Sequence, residues 1–164
     1  IYTSLFVGSV KMCIRDRSCR HRRSGWVCAA RGRVAVNGAV QVASINTRNE
    51  ARDEHLRSGD FFAADEHPQI TFTSTAVEGE GEQLRVTGDF TMRGVTKPVT
   101  FDVEIGGVLP DNGYGQQVLG FEATTTINRK DFGVSFNVAT EAGGLTLGED
   151  IKIIIEGEAT QAVA

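Results

Sequence analysis

Cysteine is absent from this 164-residue chain beyond residue 28: Cys13, Cys19 and Cys28 are all it has. Disulfides, zinc-thiolate centres and cysteine nucleophiles are therefore excluded from everything downstream. Aromatic residues make up 7%, tryptophan occurs once (Trp26), and no run approaches the ~20 apolar residues that a membrane-crossing helix needs. Basic charge is scarce over most of the length. Of 17 Lys and Arg against 21 Asp and Glu, residues 1–33 hold eight basic and one acidic, leaving nine and 20 for residues 34–164. A body of that acidity lacks the clustered cations a nucleic-acid binder requires. No Gly-x-Ser-x-Gly elbow occurs, and Asp131-Phe132-Gly133 lacks the His-Arg-Asp loop and strand lysine of a kinase.

The basic stretch reads in four ways. A nucleic-acid or anionic-lipid arm would use the arginines between 15 and 23, although such blocks are more often solvated tails. A secretory signal is disfavoured because only Leu5-Phe6-Val7 is apolar and the arginines follow it. A zinc site would need His21 to complete the widely spaced cysteines. Residues 2–17 instead resemble translated sequencing-adaptor read-through, and the chain starts at Ile1. Residues 1–33 are accordingly set aside as a non-native or disordered N-terminal stretch, with one domain over 34–164.

Period-two alternation dominates that domain. Val34, Val36, Val40 and Val42 share one parity, predicting one strand with an internal Gly38 that ends near Ile45. Thr47 and Glu50 form a capping box for one short polar helix stopped at Gly59. Strands follow from Ile70 to Val77, along Leu84 to Met92, from Pro98 to Ile105, along Leu119 to Ile127 and from Ile151 to about Thr160, with a turn at residues 78–81. Strands joined by short glycine-rich turns predict an antiparallel meander, either a sandwich or an up-and-down barrel.

Candidate polar sites are few. His55 and His67, with Asp53, Glu54, Asp65 and Glu66, lack the i, i+4 spacing of a helical zinc motif, and structural or exposed roles are favoured. Arg52, Asp53, His55, Arg129 and Asp131 sit at element ends beside apolar residues. They read as structural ion pairs closing the end of a barrel, or as anion contacts at its mouth.

Three blocks then resemble the YceI-like, polyisoprenoid-binding family: residues 44–62 continuing through Pro68-Gln69-Ile70-Thr71-Phe72-Thr73-Ser74; Gly88-Asp89-Phe90-Thr91-Met92-Arg93-Gly94-Val95-Thr96-Lys97-Pro98-Val99; and Gly120-Phe121-Glu122-Ala123-Thr124-Thr125-Thr126-Ile127-Asn128-Arg129-Lys130-Asp131-Phe132-Gly133. Phe136-Asn137 departs mildly, since relatives often carry Trp-Asn. The resemblance implies an all-β, lipocalin-like antiparallel barrel with one short helix. It also implies two strands ahead of Val34, where the basic stretch stands, so an incomplete barrel is expected. By the same resemblance the protein is not an enzyme and needs no metal or cofactor. Its ligand would be a long isoprenoid lipid, a polyprenyl lipid or quinone precursor, in a channel lined by Phe72, Leu84, Val86, Phe90, Met92, Phe101, Val103, Phe121, Ile127, Ile153 and Ile155. Two alternatives stand beside it: an enzyme on a prenyl or quinone substrate using the five polar residues above, and a stress-related structural module with a filled core. Cytoplasmic and exported forms both occur in such a family, and a homodimer is compatible with the exposed strand edges an incomplete barrel would leave.

Overall fold

The computed structural model describes residues 11–13, 35–114, 116–137 and 147–162. Of the basic stretch only three residues fall in that set; Cys19, His21 and Cys28 lie outside it. Seven strands form one antiparallel sheet in chain order: β1 (Lys11–Cys13), β2 (Ala35–Gln41), β3 (Gln69–Glu80), β4 (Gln83–Met92), β5 (Val95–Leu109), β6 (Gln116–Asn128) and β7 (Asp150–Ala162). One helix, α1 (Glu50–Arg57), and two 3-10 turns, Val42–Ser44 and Arg129–Phe132, complete the described elements. Among the described residues β1 and β7 do not pair with each other, so the sheet is a curled half-barrel and not a closed one.

Pairing extends the strands beyond their expected limits. β3 and β4 meet in a two-residue turn at Gly81 and Glu82, later than the alternation suggests. β4 and β5 are joined through Arg93 (φ 51°) and Gly94 (φ 72°), the doubly left-handed backbone of a type I′ hairpin. Pro98 lies within β5 instead of opening it. It is in register with Asp89 of β4, while pairing between β5 and β6 starts only at Asp102↔Thr124. A residue without an N–H is tolerated there because one side of the strand has no ladder to support. β2 ends at Gln41, short of Ile45, where Val42–Ser44 turns the chain.

The helix begins at a different cap from the expected one. Asn49, not Thr47, caps it, its side chain accepting from Arg52 N at 3.1 Å. Thr47 is engaged elsewhere: its N–H and its hydroxyl both donate to the Asp53 carboxylate, the N–H at 2.8 Å. Arg52 donates from Nε to Thr47 Oγ1 (2.7 Å) and from Nη2 to Thr47 O (2.8 Å). These bonds to the Asp53 carboxylate, the Thr47 hydroxyl first among them, hold its pKa below the ordinary aspartate range against the opposing effect of burial. The helix ends at its C-cap Ser58, whose N–H donates to His55 O, so Gly59 stands at the expected C′ position.

The core gathers at the end of the sheet that α1 and the 3-10 turns cover. Val42, Phe132 and Val134 are its most deeply buried members, joined by Ile45, Ile70, Phe90, Met92, Phe101, Ala123 and Ile127. Phe90 meets Phe132 edge-on at 5.4 Å and Phe72 meets Phe101 at 5.1 Å. Gly88 permits this packing, since the Phe72 ring lies over it.

Three arginines tie the covering loops down through main-chain carbonyls. Arg57 donates to Ile45 O (2.7 Å), and Arg93 to Phe61 O (3.0 Å) and Gly133 O (3.1 Å). Arg129, 3% exposed, donates to Gly148 O (2.8 Å), Val134 O (2.9 Å) and Phe136 O (2.7 Å).

Three outcomes follow from this packing. Gly88→Ala would bring a methyl within 2.4 Å of Thr73 O and 2.6 Å of Phe72 Cζ, and urea unfolding is expected to show a loss of about 3 kcal/mol. Arg129→Met leaves three carbonyls without their donor and is expected to cost roughly 2–4 kcal/mol in the same assay, with Arg129→Lys recovering only part. Because the folded pKa of Asp53 is depressed, its stabilisation is present above about pH 4 and lost as pH falls through the folded value. The Tm gap between the parent and Asp53→Asn should therefore be widest near neutrality and close in acid, as followed by circular dichroism.

An apolar trough and its side opening

Along the inner face of the sheet, cross-strand partners form apolar rows. Phe72 pairs with Phe90, and Val86 stands between Val77 and Phe101. Leu84, Val103, Ala123 and Ile155 form a row across four strands, as Ile105, Phe121 and Gly157 do across three. Thr125 faces Ile153, and Ile127 faces Ile151. Phe121 covers Gly157, its ring atoms 3.0 Å from where a Cβ would stand. All eleven residues expected in a channel lie on these rows or beside them. Val86, Phe90, Met92, Phe101 and Ile127 are buried, while Phe72, Leu84, Val103, Phe121, Ile153 and Ile155 are half-buried. Nine belong to one continuous apolar cluster; Leu84 and Val86 lie outside it, toward the uncovered end. The face is thus a trough, filled under α1 and more exposed away from it.

Sequence reading missed the plug of this trough. Phe132 and Val134 are each 2% exposed, and Gly133 between them is left-handed (φ 75°), so two residues of one parity both turn inward after β6 ends. The signal was an i, i+2 apolar pair around a glycine, overlapping the tripeptide set aside as a false kinase motif.

The five polar candidates do not converge on one point. Arg52 and Asp53 close on Thr47, and Asp53 lines a surface hollow of about 440 Å³ together with Asn46, Arg48, Asn49, Glu50 and Arg57. His55 lies 3.2 Å from Asp60 and meets Phe61 and Phe136 edge-on, each ring centroid 5.0 Å away. Asp131 pairs with Lys97 at 3.0 Å. Arg129 spends its donors on carbonyls, and its Nη2 is buried without a partner among the described residues. All five are engaged in ties, with no nucleophile or acid/base pair assembled among them. His67 packs its ring over Gly94, 2.7 Å from a Cβ position there, apart from His55 and its partners.

The trough has a side opening. Below Asp102↔Thr124 the β5 and β6 backbones separate, and the Thr125 hydroxyl, donating to Thr100 O at 2.8 Å, makes the last tie. A hollow of about 290 Å³ lies in this split, with Val99, Ile127 and Phe132 among its lining and the Lys97–Asp131 pair at its rim. Beside it Lys130 pairs with Glu149, which holds that carboxylate below its ordinary pKa. Asn137 bridges to Leu147, donating from Nδ2 to its carbonyl (2.9 Å) and accepting from its N–H (3.1 Å).

Known proteins share this fold. The family model for the YceI-like domain matches residues 17–159, so its match takes in part of the basic stretch. UPF0312 proteins of Staphylococcus aureus strains MSSA476 and MW2 are each 48% identical over 116 residues, covering 71% of this chain and 66% of theirs. The chain thus spans just under two thirds of the length of these relatives. The crystal structure of a Campylobacter jejuni YCEI protein superposes with a TM-score of 0.69 at 30% identity, covering 99% of this chain and 91% of that one. Burkholderia cenocepacia BcnA follows with a TM-score of 0.61 at 25% identity, over 76% and 74%. By family match, curated relatives and shared half-barrel together, the chain belongs to the YceI-like family, a family of binding proteins.

Proposed function

We propose that this protein binds and carries, or sequesters, a long-chain isoprenoid lipid without catalysis. A polyprenyl lipid or a quinone precursor would lie along the trough lined by the eleven residues above. One observation carries the reading. A single apolar face continues from buried positions at Phe90 and Phe101 to half-buried ones at Leu84, Val103, Phe121 and Ile155, and no polar side chain interrupts the row from Leu84 to Ile155. A globular monomer has no need of such a face unless something covers it. A prenyl chain suits it, because each methylene taken from water contributes about 0.8 kcal/mol and demands no polar partner. Membership of a family known for polyisoprenoid binding supports the same ligand class.

The filled-core alternative draws on the tied end, where Phe90 packs on Phe132 and Phe72 on Phe101. It differs in predicting no lipid uptake by the uncovered half. Mass spectrometry of lipid extracted from the purified full-length protein, and uptake of added polyprenol, separate the two. The expected result is a prenyl species in the extract and uptake that falls at least about tenfold in Val103→Asp, a charge on the half-buried row, while Glu104→Gln on the outer face leaves it unchanged. Absence of uptake by the stable parent protein would favour the filled core.

A further inference from the structure

The β5–β6 hairpin overhangs the rest of the sheet. The register of β5 with β4 stops at Gln83↔Glu104, and the donation from Ile105 N to Glu82 O (2.7 Å) is the last backbone tie on that side. Beyond it β5 runs on for four residues to Leu109, roughly 13 Å at about 3.3 Å per residue, supported only by β6 and, behind that, β7. The large hydrophobic residues that stand exposed among the described residues are all on this projection: Val108 (43%), Leu109 (53%) and Tyr114 (87%). Val108 pairs with Leu119 and Leu109 with Val118, so the projection carries an apolar pair on each face.

The turn that presents them is built, not slack. Gly113 N donates to Asp111 Oδ1 (2.8 Å), Tyr114 N to Asn112 Oδ1 (2.9 Å), Asn112 N to Gln116 O (3.0 Å) and Asn112 Nδ2 to Gln116 Oε1 (3.1 Å). Asx turns of this kind fix the backbone without using apolar side chains, which leaves Tyr114 outside the packing. Another strand is a poor occupant for the free edge of β5, since a bulge between Ile105 and Gly107 kinks it and Pro110 ends it after four residues. Charge narrows the choice further. No Lys or Arg occurs from residue 98 to 128, while Glu104, Asp111 and Glu122 do, and the neighbouring β3–β4 turn adds Glu78, Glu80 and Glu82. An anionic surface would repel this end of the molecule; an uncharged, hydrocarbon-backed one would not.

We propose that the β5–β6 tip is a membrane-docking element that seats Val108, Leu109 and Tyr114 in the interface of a zwitterionic bilayer. A tyrosine in the apical turn, with an apolar ring and a polar hydroxyl, followed by aliphatic side chains on the strand behind it suits the boundary between acyl chains and headgroups. Val108 and Leu119 stand on the face that continues into Phe121 and the trough, so the docked tip would set the trough's uncovered end against the lipid. That last point rests on the lipid-binding reading; the docking itself does not.

The test is co-sedimentation of the full-length protein with vesicles of pure phosphatidylcholine, containing no isoprenoid, and with vesicles of phosphatidylglycerol. Expected are binding to phosphatidylcholine that is insensitive to salt, weaker binding to phosphatidylglycerol, a loss of about fivefold in each of Leu109→Ser and Tyr114→Ser, and of about a hundredfold with Val108→Ser added to both. Tyr114→Trp should bind at least as well as the parent. Tyr114→Ser changes a side chain outside the packing, so its effect is separable from misfolding. No sedimentation with phosphatidylcholine, binding untouched by the triple substitution, or a concentration-dependent dimer abolished by it in place of vesicle binding would each overturn the proposal. Polyprenol uptake delivered from ethanol reads the trough separately: uptake without vesicle binding fells the docking alone, and vesicle binding without uptake fells the carrier reading alone.

Discussion

An open sheet with one apolar face must be covered over part of its length, and here the cover is held by guanidinium groups bound to carbonyls. Arg129 gathers Gly148, Val134 and Phe136; Arg93 joins Phe61 to Gly133; Arg57 reaches Ile45. The loops they hold carry Phe61, Phe132 and Val134, which complete the core at that end. A buried carboxylate would need its own desolvation offset, whereas a carbonyl is already present in every loop residue and asks only for a donor. Five rigid donors on one planar group suit arginine to this work, and lysine could not span the same three oxygens.

That choice explains much of what was legible in the sequence and what was not. The strands were legible, because Phe72, Phe90, Phe101 and Ile127 repeat with the period of a half-buried sheet. Their ends were not. Bulges between Ser74 and Ala76 and between Ile105 and Gly107 insert a residue, switch the parity and carry β3 and β5 past the point where a single alternation stops. The helix was legible but its cap was not, because Asp53 reaches back to Thr47 and leaves Asn49 to cap the first turn. Arg129 stood out by position, yet its partners are main-chain oxygens, which leave no mark in a sequence. An ion pair with Asp131 was the natural expectation, and Asp131 binds Lys97 instead.

The candidate site divides along the same line. Its apolar lining follows from alternation, so the channel residues fall on the inner rows. Its limits depend on tertiary cover, which alternation does not encode: Phe132 and Val134 plug one end, and the split below Asp102↔Thr124 opens a side. The polar residues grouped as a mouth are dispersed among separate ties, Arg52, Asp53 and His55 on α1 and Arg129 and Asp131 on the 3-10 turn after β6. Family membership supports the proposed ligand class, and the geometry shows which stretch of the apolar face is only half-buried.

Strand order in this sheet equals chain order from β1 to β7, so every strand hydrogen-bonds only to the ones made just before and just after it. Energetically the sheet is close to a one-dimensional array, in which stability accumulates as a sum over adjacent interfaces and a terminal strand is worth one interface and no more. The β3–β6 meander can assemble by zipping from any of its hairpins outward without first closing a long loop, whereas β2 and β7 join across longer connections. The same locality means that the arginine-tied end and the overhanging β5–β6 tip communicate only along the strands that run between them, so each can change without the other.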